Sequence, residues 1–386
     1  MKRRHLLQAL GLAGVVPAPW AQAQAVTGTV HRLELGMSLP ALLAQARSGD
    51  VIEVMPGVHR AQAGVVTQAV LTIRGVGGTR PVFQADGVAA EGKGILVVRS
   101  AEDVRIQNLE FRGTRVPDRN GAGIRFETGH LTVQNCAFFD NQTGILTNND
   151  PASVLEVQRC EFGFAAAPYL SHLLYVGRIR QVRVLGSYFH DGLMGHLLKS
   201  RAQYTIVRHS VLVDGASGES SYEVDLPEGG RAWLVGNVIS QNALTQNPAI
   251  VSYGEETSSL AEHGLFMAHN TIVNQRSTGT FVRVSPARLA AGLEARFVNN
   301  LLVGPGELAT GTLDWTAGNV RTTLDSLRDP ERLDFRLVAH SPLRGSARAA
   351  GVGGGRTLAP LAEFRPPVGS RLIVPPAAWS PGAYQS

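Results

Sequence analysis

The sequence predicts an all-β fold, a single-stranded right-handed parallel β-helix in which short strands stack coil upon coil. A phrase of the form apolar-x-Asn-apolar-x-apolar recurs eight times, at steps of 23 to 33 residues. Glycine is abundant (43 residues), charged residues make up only 17%, and no long helical periodicity is present. Repeats of this length are typical of solenoids whose coils differ mainly in their turns.

The recurring phrase indicates one strand and one bend in each coil. Its copies begin at Ile106, Val133, Val157, Val184, Val207, Val235, Ala268 and Val298. Alternation along a strand sends every second side chain into the lumen. An asparagine at the bend can adopt a left-handed backbone and hydrogen-bond the asparagine one coil away.

Segments at both ends are predicted to close the solenoid. Residues 26–304 are assigned to the β-helix, with opening coils at 49–54 and 70–75. A short amphipathic stretch at 39–46 is expected to form a helix that caps the open end, because a bare coil exposes sheet edges and core. Residues 305–386 lose the repeat and are expected to form an irregular C-terminal capping segment packed on the helix.

The first 25 residues have the pattern of an export signal. Lys2, Arg3 and Arg4 precede a short apolar run at 6–16, and 21–23 is a small-x-small cleavage site. The paired arginines resemble a twin-arginine signal, with an ordinary secretory signal as the alternative. We therefore expect a periplasmic or secreted protein. No segment is long enough to span a membrane.

The charge distribution argues against nucleic acid as a partner. The formal net charge is +5, but three of the cations lie in the signal and no basic run remains in the mature chain. The sequence therefore gives no support for nucleic-acid binding. A slightly basic chain weakly favours an acidic polymer as partner, and a monomer is expected.

Two cysteines, Cys136 and Cys160, occupy the same place in consecutive copies of the phrase. They should therefore stack in the lumen roughly 4.8 Å apart, one strand spacing. An oxidising compartment permits a disulfide. Buried, stacked thiols are the alternative, because direct neighbours on parallel strands often have poor bridging geometry.

Stacking also aligns the strands that open successive coils. We align residues 173–177, 197–201, 221–225, 250–255 and 281–284. If Leu198, Tyr222 and Val282 point inward, one outward column follows: Tyr175, Lys199, Glu223, Ser252 and Arg283. Arg201 and Asp225 should lie beside this column. Such a long, flat face suits an elongated chain.

Lys199 is the sharpest catalytic candidate, because the chain has only three lysines: Lys2, Lys93 and Lys199. A lysine can lose its proton near another positive charge, whereas an arginine effectively cannot. Neutral Lys199 could abstract a proton beside a carboxylate, while Arg201 neutralises the enolate or protonates the leaving oxygen. Tyr175 and His196 are the other catalytic candidates. A solvated lysine paired with Glu223 is the alternative.

Three acidic residues are candidate ligands for a calcium ion. Glu223 and Asp225 are two apart on one strand, and Glu255 lies one coil on. Calcium favours several oxygen ligands, but structural ion pairs or an acid/base pair would need the same residues.

Four further residues are predicted to contact substrate: His172, His190, Tyr253 and Arg283. His172 and His196 begin consecutive coils at matching positions, and His190 ends the coil between them. Histidines clustered on one edge can serve acid/base work, although turn histidines are more often structural.

The repeat, the export signal and the capping pattern resemble the pectate-lyase-like superfamily of right-handed β-helix proteins, over about residues 27–305. Residues 197–201, with Ile206 and 211–212, look like the lysine coil of the alginate lyase and chondroitinase B family. That resemblance implies a lysine base, matched by Lys199, an arginine acid one coil later, and often a calcium ion. One coil after Lys199 this chain has Glu223 and Asp225 instead.

The sequence thus predicts an exported polysaccharide lyase that cleaves an acidic, uronate-containing polysaccharide by β-elimination. A non-catalytic polysaccharide-binding or cell-envelope protein is the alternative. A glycoside hydrolase or epimerase would need carboxylates facing each other across a groove, whereas Glu223 and Asp225 lie side by side.

Overall fold

The computed structural model describes residues 28–165, 171–289, 292–310, 313 and 317–385. The predicted signal, residues 1–25, lies outside them. The chain winds as a right-handed parallel β-helix, and its strands assemble three long parallel sheets. Sheets 1, 2 and 3 are numbered in the order in which the chain visits them within a coil. The predicted fold class is therefore confirmed.

Each complete coil adds one strand to each sheet. Sheet 1 contains Val30–Leu33, Val51–Val54, Val70–Gly75, Ala101–Gln107, Gly129–Gln134, Val154–Gln158, Gln181–Leu185, Tyr204–Arg208, Arg231–Val235, Gly264–Ala268 and Glu294–Val298. Sheet 2 contains Val58–Arg60, Val82–Gln84, Glu110–Arg112, Ala137–Phe139, Glu161–Gly163, Tyr188–His190, Val211–Val213, Val238–Gln241, Thr271–Asn274, Leu301–Val303 and Val320–Thr322. Sheet 3 contains Gly64–Val66, Gly94–Val98, Ala122–Phe126, Thr143–Thr147, Leu174–Val176, Leu198–Ser200, Val224–Leu226, Ala249–Tyr253, Thr280–Val284 and Glu307–Ala309.

The bend between sheets 1 and 2 is built from two residues with different tasks. The first has a left-handed backbone in every copy of the phrase, with φ between 51° and 70°: Asn108, Asn135, Arg159, Gly186, His209, Gly236, His269 and Asn299. The second points into the lumen, where Asn237 donates to Asn270 (3.1 Å) and Asn270 to Asn300 (2.9 Å). The predicted bond between left-handed asparagines occurs at Asn108 and Asn135, where Asn135 donates to Asn108 (3.0 Å), whereas in the later coils the ladder uses the residue after the left-handed one.

Aromatic rings and thiols fill the lumen. Phe138 stacks on Phe162 with ring centroids 4.7 Å apart, and Phe162 stacks on Phe189 at 4.6 Å. Cys136 and Cys160 are both buried and both free. Of the two alternatives for this pair, the structure has the buried thiols.

A short helix, Leu39–Gln45, caps the first coil as predicted. Ser38 precedes it, and its hydroxyl accepts from the Ala41 N–H (3.3 Å), which satisfies one of the unpaired donors at the helix start. Leu39, Leu42 and Leu43 are buried beneath it. None of the helices in the described residues is long and apolar enough to cross a membrane.

The C-terminal segment covers two of the three outer faces. Strands Glu307–Ala309 and Val320–Thr322 first continue sheets 3 and 2 past residue 304. Three short antiparallel hairpins follow: Leu327–Asp329 with Asp334–Leu337, Val352–Gly353 with Arg356–Thr357, and Ala362–Phe364 with Ser370–Leu372. The part of the chain that the structure describes also contains three 3-10 turns: Pro286–Arg288, Leu324–Ser326 and Pro330–Arg332.

Two apolar clusters hold this segment in place. Phe335, Leu337 and Phe364 pack over the outer face of sheet 2, against residues such as Val238. Leu358 packs over sheet 1 beside Trp233. The apolar clusters of the tail therefore lie on sheets 1 and 2, and polar side chains remain partly accessible on sheet 3.

Candidate functional site

One row of side chains runs across the outer face of sheet 3. The strand register pairs Tyr175 with Lys199, Lys199 with Asp225, Asp225 with Ser252, and Ser252 with Arg283. Four of the five predicted column members are therefore placed correctly, and Glu223 is not.

Glu223 is not in this row because the sequence alignment paired it with Lys199, whereas the true partner of Lys199 is Asp225, two residues later. Leu198 pairs with Val224, and the strand begins only there. Glu223 lies just before the strand, at the position of the buried Leu197, and is itself completely buried. The carboxylate on the outer face is Asp225.

Lys199 and Asp225 form an ion pair in this row. The Lys199 ammonium lies 3.0 Å from Asp225 Oδ2, and the two side chains are only 13% and 5% exposed. Burial raises the pKa of Asp225 above its ordinary value, against the opposing effect of Lys199. The predicted alternative was a solvated lysine paired with Glu223; Lys199 is instead mostly buried and paired with Asp225.

Tyr175 and Arg201 meet beside this pair. An Arg201 Nη donates to the Tyr175 hydroxyl oxygen (2.7 Å). The Arg201 guanidinium carbon lies 5.5 Å, and the Lys199 ammonium 5.9 Å, from the centre of the Tyr175 ring. A phenol, an ammonium and a guanidinium thus converge from two adjacent coils; we call these three residues the Tyr175–Lys199–Arg201 cluster.

Two carboxylates hold Arg201 in place. Its Nε donates to Glu228 (3.0 Å) and an Nη to Glu256 (2.7 Å). Burial lowers the pKa of Arg201, but the bonds to Glu256 and the nearby negative charges outweigh it and raise that pKa above its ordinary value. Arg201 is therefore a permanent cation, suited to neutralising charge and not to releasing a proton.

His172 and His196 form part of a backbone ladder. Nδ1 of His172 accepts from the His196 N–H (2.9 Å), and Nδ1 of His196 accepts from the Tyr222 N–H (3.2 Å). Burial, with the nearby Lys199 and Arg201, lowers the pKa of His196 to about 3. In both rings the Nδ1 lone pair, which a general base would need to accept a proton, already accepts a backbone N–H. The two histidines therefore connect successive turns.

Two predicted substrate contacts lie away from the cluster. Tyr253 is completely buried, and its hydroxyl donates to the Gly230 carbonyl, so it has no surface to offer a substrate. His190 belongs to sheet 2, with Nδ1 2.6 Å from Asp191 and Nε2 3.4 Å from Glu161. Burial lowers the pKa of His190, but these two carboxylates outweigh it and raise that pKa overall.

Arg283 does lie on the outer face, at the end of the row. One of its Nη atoms donates to the hydroxyl oxygen of Tyr222 (3.2 Å), which is half-buried. Tyr222 was predicted to point inward, and that prediction is wrong. The register of Val224 with Leu198 places Tyr222 before the strand, against the ring of His196.

The predicted calcium ligands do not form a ligand set. Within the described ranges, no three His, Cys, Asp or Glu side chains are grouped so as to hold a metal ion. Glu223 is fully buried, Asp225 is paired with Lys199, and Glu255 accepts from the Ser285 hydroxyl (2.6 Å). A calcium requirement stays a prediction without a site that fits it.

Sequence reasoning missed Glu228, which organises the edge of the cluster. Its carboxylate is almost fully buried and accepts two bonds from Arg178 (2.8 and 2.6 Å) in addition to the bond from Arg201. Glu228 follows Pro227 and precedes two glycines, a pattern typical of a loop. The arginines after two successive sheet 3 strands were the available indication of a shared carboxylate.

Comparisons with known proteins identify the fold. The chain is similar to the crystal structure of pectate lyase Pel9A, with 13% sequence identity, a TM-score of 0.61, and coverage of 90% of this chain and 91% of that chain. No protein-family model matches the chain, and no curated protein sequence matches it. The chain therefore has a pectate-lyase-like parallel β-helix fold; at this identity the likeness shows the fold alone.

Proposed function

We propose that this protein binds an acidic polysaccharide along the outer face of sheet 3 and cleaves it by β-elimination at the Tyr175–Lys199–Arg201 cluster. The observation that carries the proposal is the convergence of a phenol and two cations on adjacent coils of an accessible sheet. The similar fold of a protein named as a pectate lyase supports a polysaccharide substrate.

β-Elimination needs three kinds of catalytic group from a protein. A base removes the proton next to the uronate carboxylate, cations neutralise the charge that develops there, and an acid protonates the leaving oxygen. Arg201 supplies the positive charge, because it stays a cation throughout. Tyr175 supplies the acid, because Arg201 occupies a lone pair of the phenol oxygen and leaves the hydroxyl hydrogen free to be donated.

The base role is assigned to Lys199, and Asp225 is the group that makes it available. A free lysine and a free aspartate differ by about 6.5 pKa units, so moving the proton between them costs about 9 kcal/mol in water. Burial raises the pKa of Asp225 and so reduces that cost. Transfer over the 3.0 Å between Lys199 Nζ and Asp225 Oδ2 leaves a neutral amine facing the substrate.

Binding without cleavage is the second candidate, favoured by one specific observation. Both cations of the cluster already have carboxylate partners: Asp225 for Lys199, and Glu228 and Glu256 for Arg201. A face whose charges are mutually neutralised can hold a polysaccharide without performing chemistry on it.

Export is part of the same proposal. A signal at residues 1–25 would place the protein in the periplasm or outside the cell, where acidic polysaccharides are accessible, and we propose that it works there as a monomer. Replacing Arg3 and Arg4 with lysine should abolish export through a twin-arginine route and leave an ordinary secretory route intact.

The test is an assay on alginate, pectate and glycosaminoglycans that follows the ultraviolet absorbance of the unsaturated product, with and without a calcium chelator. Lys199→Ala and Tyr175→Phe should abolish product formation. Lys93→Ala is the matched control, because Lys93 also pairs with a carboxylate, Glu127 (2.8 Å). Activity that survives Lys199→Ala unchanged contradicts the proposal, and binding by the unaltered protein without product supports the second candidate.

A further inference from the structure

The C-terminal segment contains a cleft of about 600 Å³, separate from the row on sheet 3. It lies between the hairpin of Leu327–Asp329 with Asp334–Leu337 and the hairpin of Ala362–Phe364 with Ser370–Leu372, and Tyr384 from the end of the chain lines it. Its size falls within the range of small-molecule sites, about 300–1,000 Å³.

The charge in this cleft is unbalanced. Its lining contains four arginines and two carboxylates. Each carboxylate already has an arginine partner: Asp334 accepts from Arg336 (2.6 Å), and Glu363 accepts from Arg371. The cleft therefore carries two guanidinium groups in excess of its own anions.

The excess cations are Arg332 and Arg365. The Arg332 side chain is 87% exposed, and its ion pair with Asp329 is long (Nε to Oδ2 3.8 Å), beyond hydrogen-bonding distance, so it leaves the guanidinium donors available. Arg365 is exposed at the turn of the second hairpin. Guanidinium groups present paired N–H donors that match a carboxylate, so each of these residues can bind an anion that enters the cleft.

Apolar rings complete the lining. Phe364 and Tyr384 both line the cleft, and Phe364 is fixed from below by packing against Tyr188 of sheet 2 (centroids 6.4 Å apart). Burial raises the pKa of Tyr384, helped by Glu363 and Asp334, so its phenol stays protonated and can donate. An aromatic surface beside cations suits a ligand with an apolar ring face and a carboxylate.

We propose that this cleft is a second binding site for an acidic saccharide, in which Arg332 and Arg365 bind the carboxylate and Tyr384 contacts the sugar ring. The choice of a saccharide rests on the proposed function, whereas the preference for an anion follows from the charge of the cleft itself. The site lies on the side of sheet 2, so it would hold a polymer without occupying the cluster on sheet 3.

The test uses the full chain with Lys199→Ala, so that sheet 3 cannot turn substrate over. Titration calorimetry measures binding of oligosaccharides of galacturonate, mannuronate and glucuronate, of a neutral galactose oligosaccharide, and of inorganic sulfate. We expect an acidic oligosaccharide to bind at the cleft in addition to sheet 3, and the Kd of the cleft event to be at least tenfold higher after Arg332→Ala and Arg365→Ala. The neutral oligosaccharide should not bind.

Arg344→Ala with Arg348→Ala is the matched control, because it removes two exposed arginines of the same tail outside the cleft. An unchanged Kd in the Arg332/Arg365 variant overturns the proposal, as does an equal loss in the control. Sulfate binding as tight as the saccharide overturns the assignment to a sugar. Failure of the unaltered protein to cleave any polysaccharide leaves these outcomes unaffected, so the two proposals are tested separately.

Discussion

Asp214 is a buried carboxylic acid whose ionisation opposes folding. It follows the strand Val211–Val213 and is completely buried. One oxygen accepts from the Ser220 N–H (3.0 Å) and the Thr245 hydroxyl (3.1 Å). These bonds do not compensate for the lost hydration, and burial raises the pKa of Asp214 from 3.8 to about 6.

The sign of the pH dependence follows from this shift. Between pH 4 and 6 the folded protein holds a proton that the unfolded chain has lost, so the free energy of unfolding falls as the pH rises. A shift from 3.8 to about 6 corresponds to about 3 kcal/mol. The full penalty is present above pH 6 and absent below pH 4.

Asp214→Asn should remove that penalty, because an amide can accept the same two bonds and does not ionise. We expect the stability of the variant relative to the unaltered protein to be about 3 kcal/mol more favourable at pH 7 than at pH 4. Urea denaturation followed by circular dichroism at pH 4, 5, 6 and 7 measures this. The exposed Asp118→Asn is the control. A variant with the same pH profile as the unaltered protein would refute the reasoning.

Three further results are expected. Glu223→Gln should raise the melting temperature at pH 7 more than at pH 4. Burial raises the pKa of Glu223, and neither of its carboxylate oxygens has a hydrogen-bond partner in the described part of the chain. An equal shift of the melting temperature at both pH values would argue against this. Dithiothreitol should leave the melting temperature unchanged, since Cys136 and Cys160 are free, and a drop would indicate a disulfide. Leu358→Ala should loosen the tail by about 2–5 kcal/mol and speed its cleavage in limited proteolysis, whereas unchanged cleavage would mean that the contact with sheet 1 is dispensable.

The coil architecture was predictable from the sequence because it depends on local periodicity. The phrase that contains Asn108 and Asn135 fixes the bend, and the amphipathic residues 39–46 fix the cap. The phrase does not distinguish the left-handed residue from the lumen-facing residue that follows it, because Asn occurs at both positions. Gly236 followed by Asn237, and His269 followed by Asn270, show the two tasks on separate residues.

The site was less predictable because it depends on register. The turn before Val224 has no periodicity, so the partner of Lys199 could be displaced by two residues and still keep the alternation of inward and outward side chains. That displacement exchanged Glu223 for Asp225. The role of His196 depends on which ring nitrogen meets a backbone N–H, and no sequence pattern records that contact.

The two-residue bend has a consequence for how such a protein can diversify. Every connection from sheet 1 to sheet 2 between Gln107 and Leu301 spans two residues, whereas the connections into sheet 3 range from three residues (140–142) to ten (214–223). Insertions and deletions are therefore absorbed beside sheet 3 without disturbing the lumen ladder. The rims of one face can be rebuilt by evolution or by loop grafting while the stack of coils keeps its alignment, so a new specificity need not require a new scaffold.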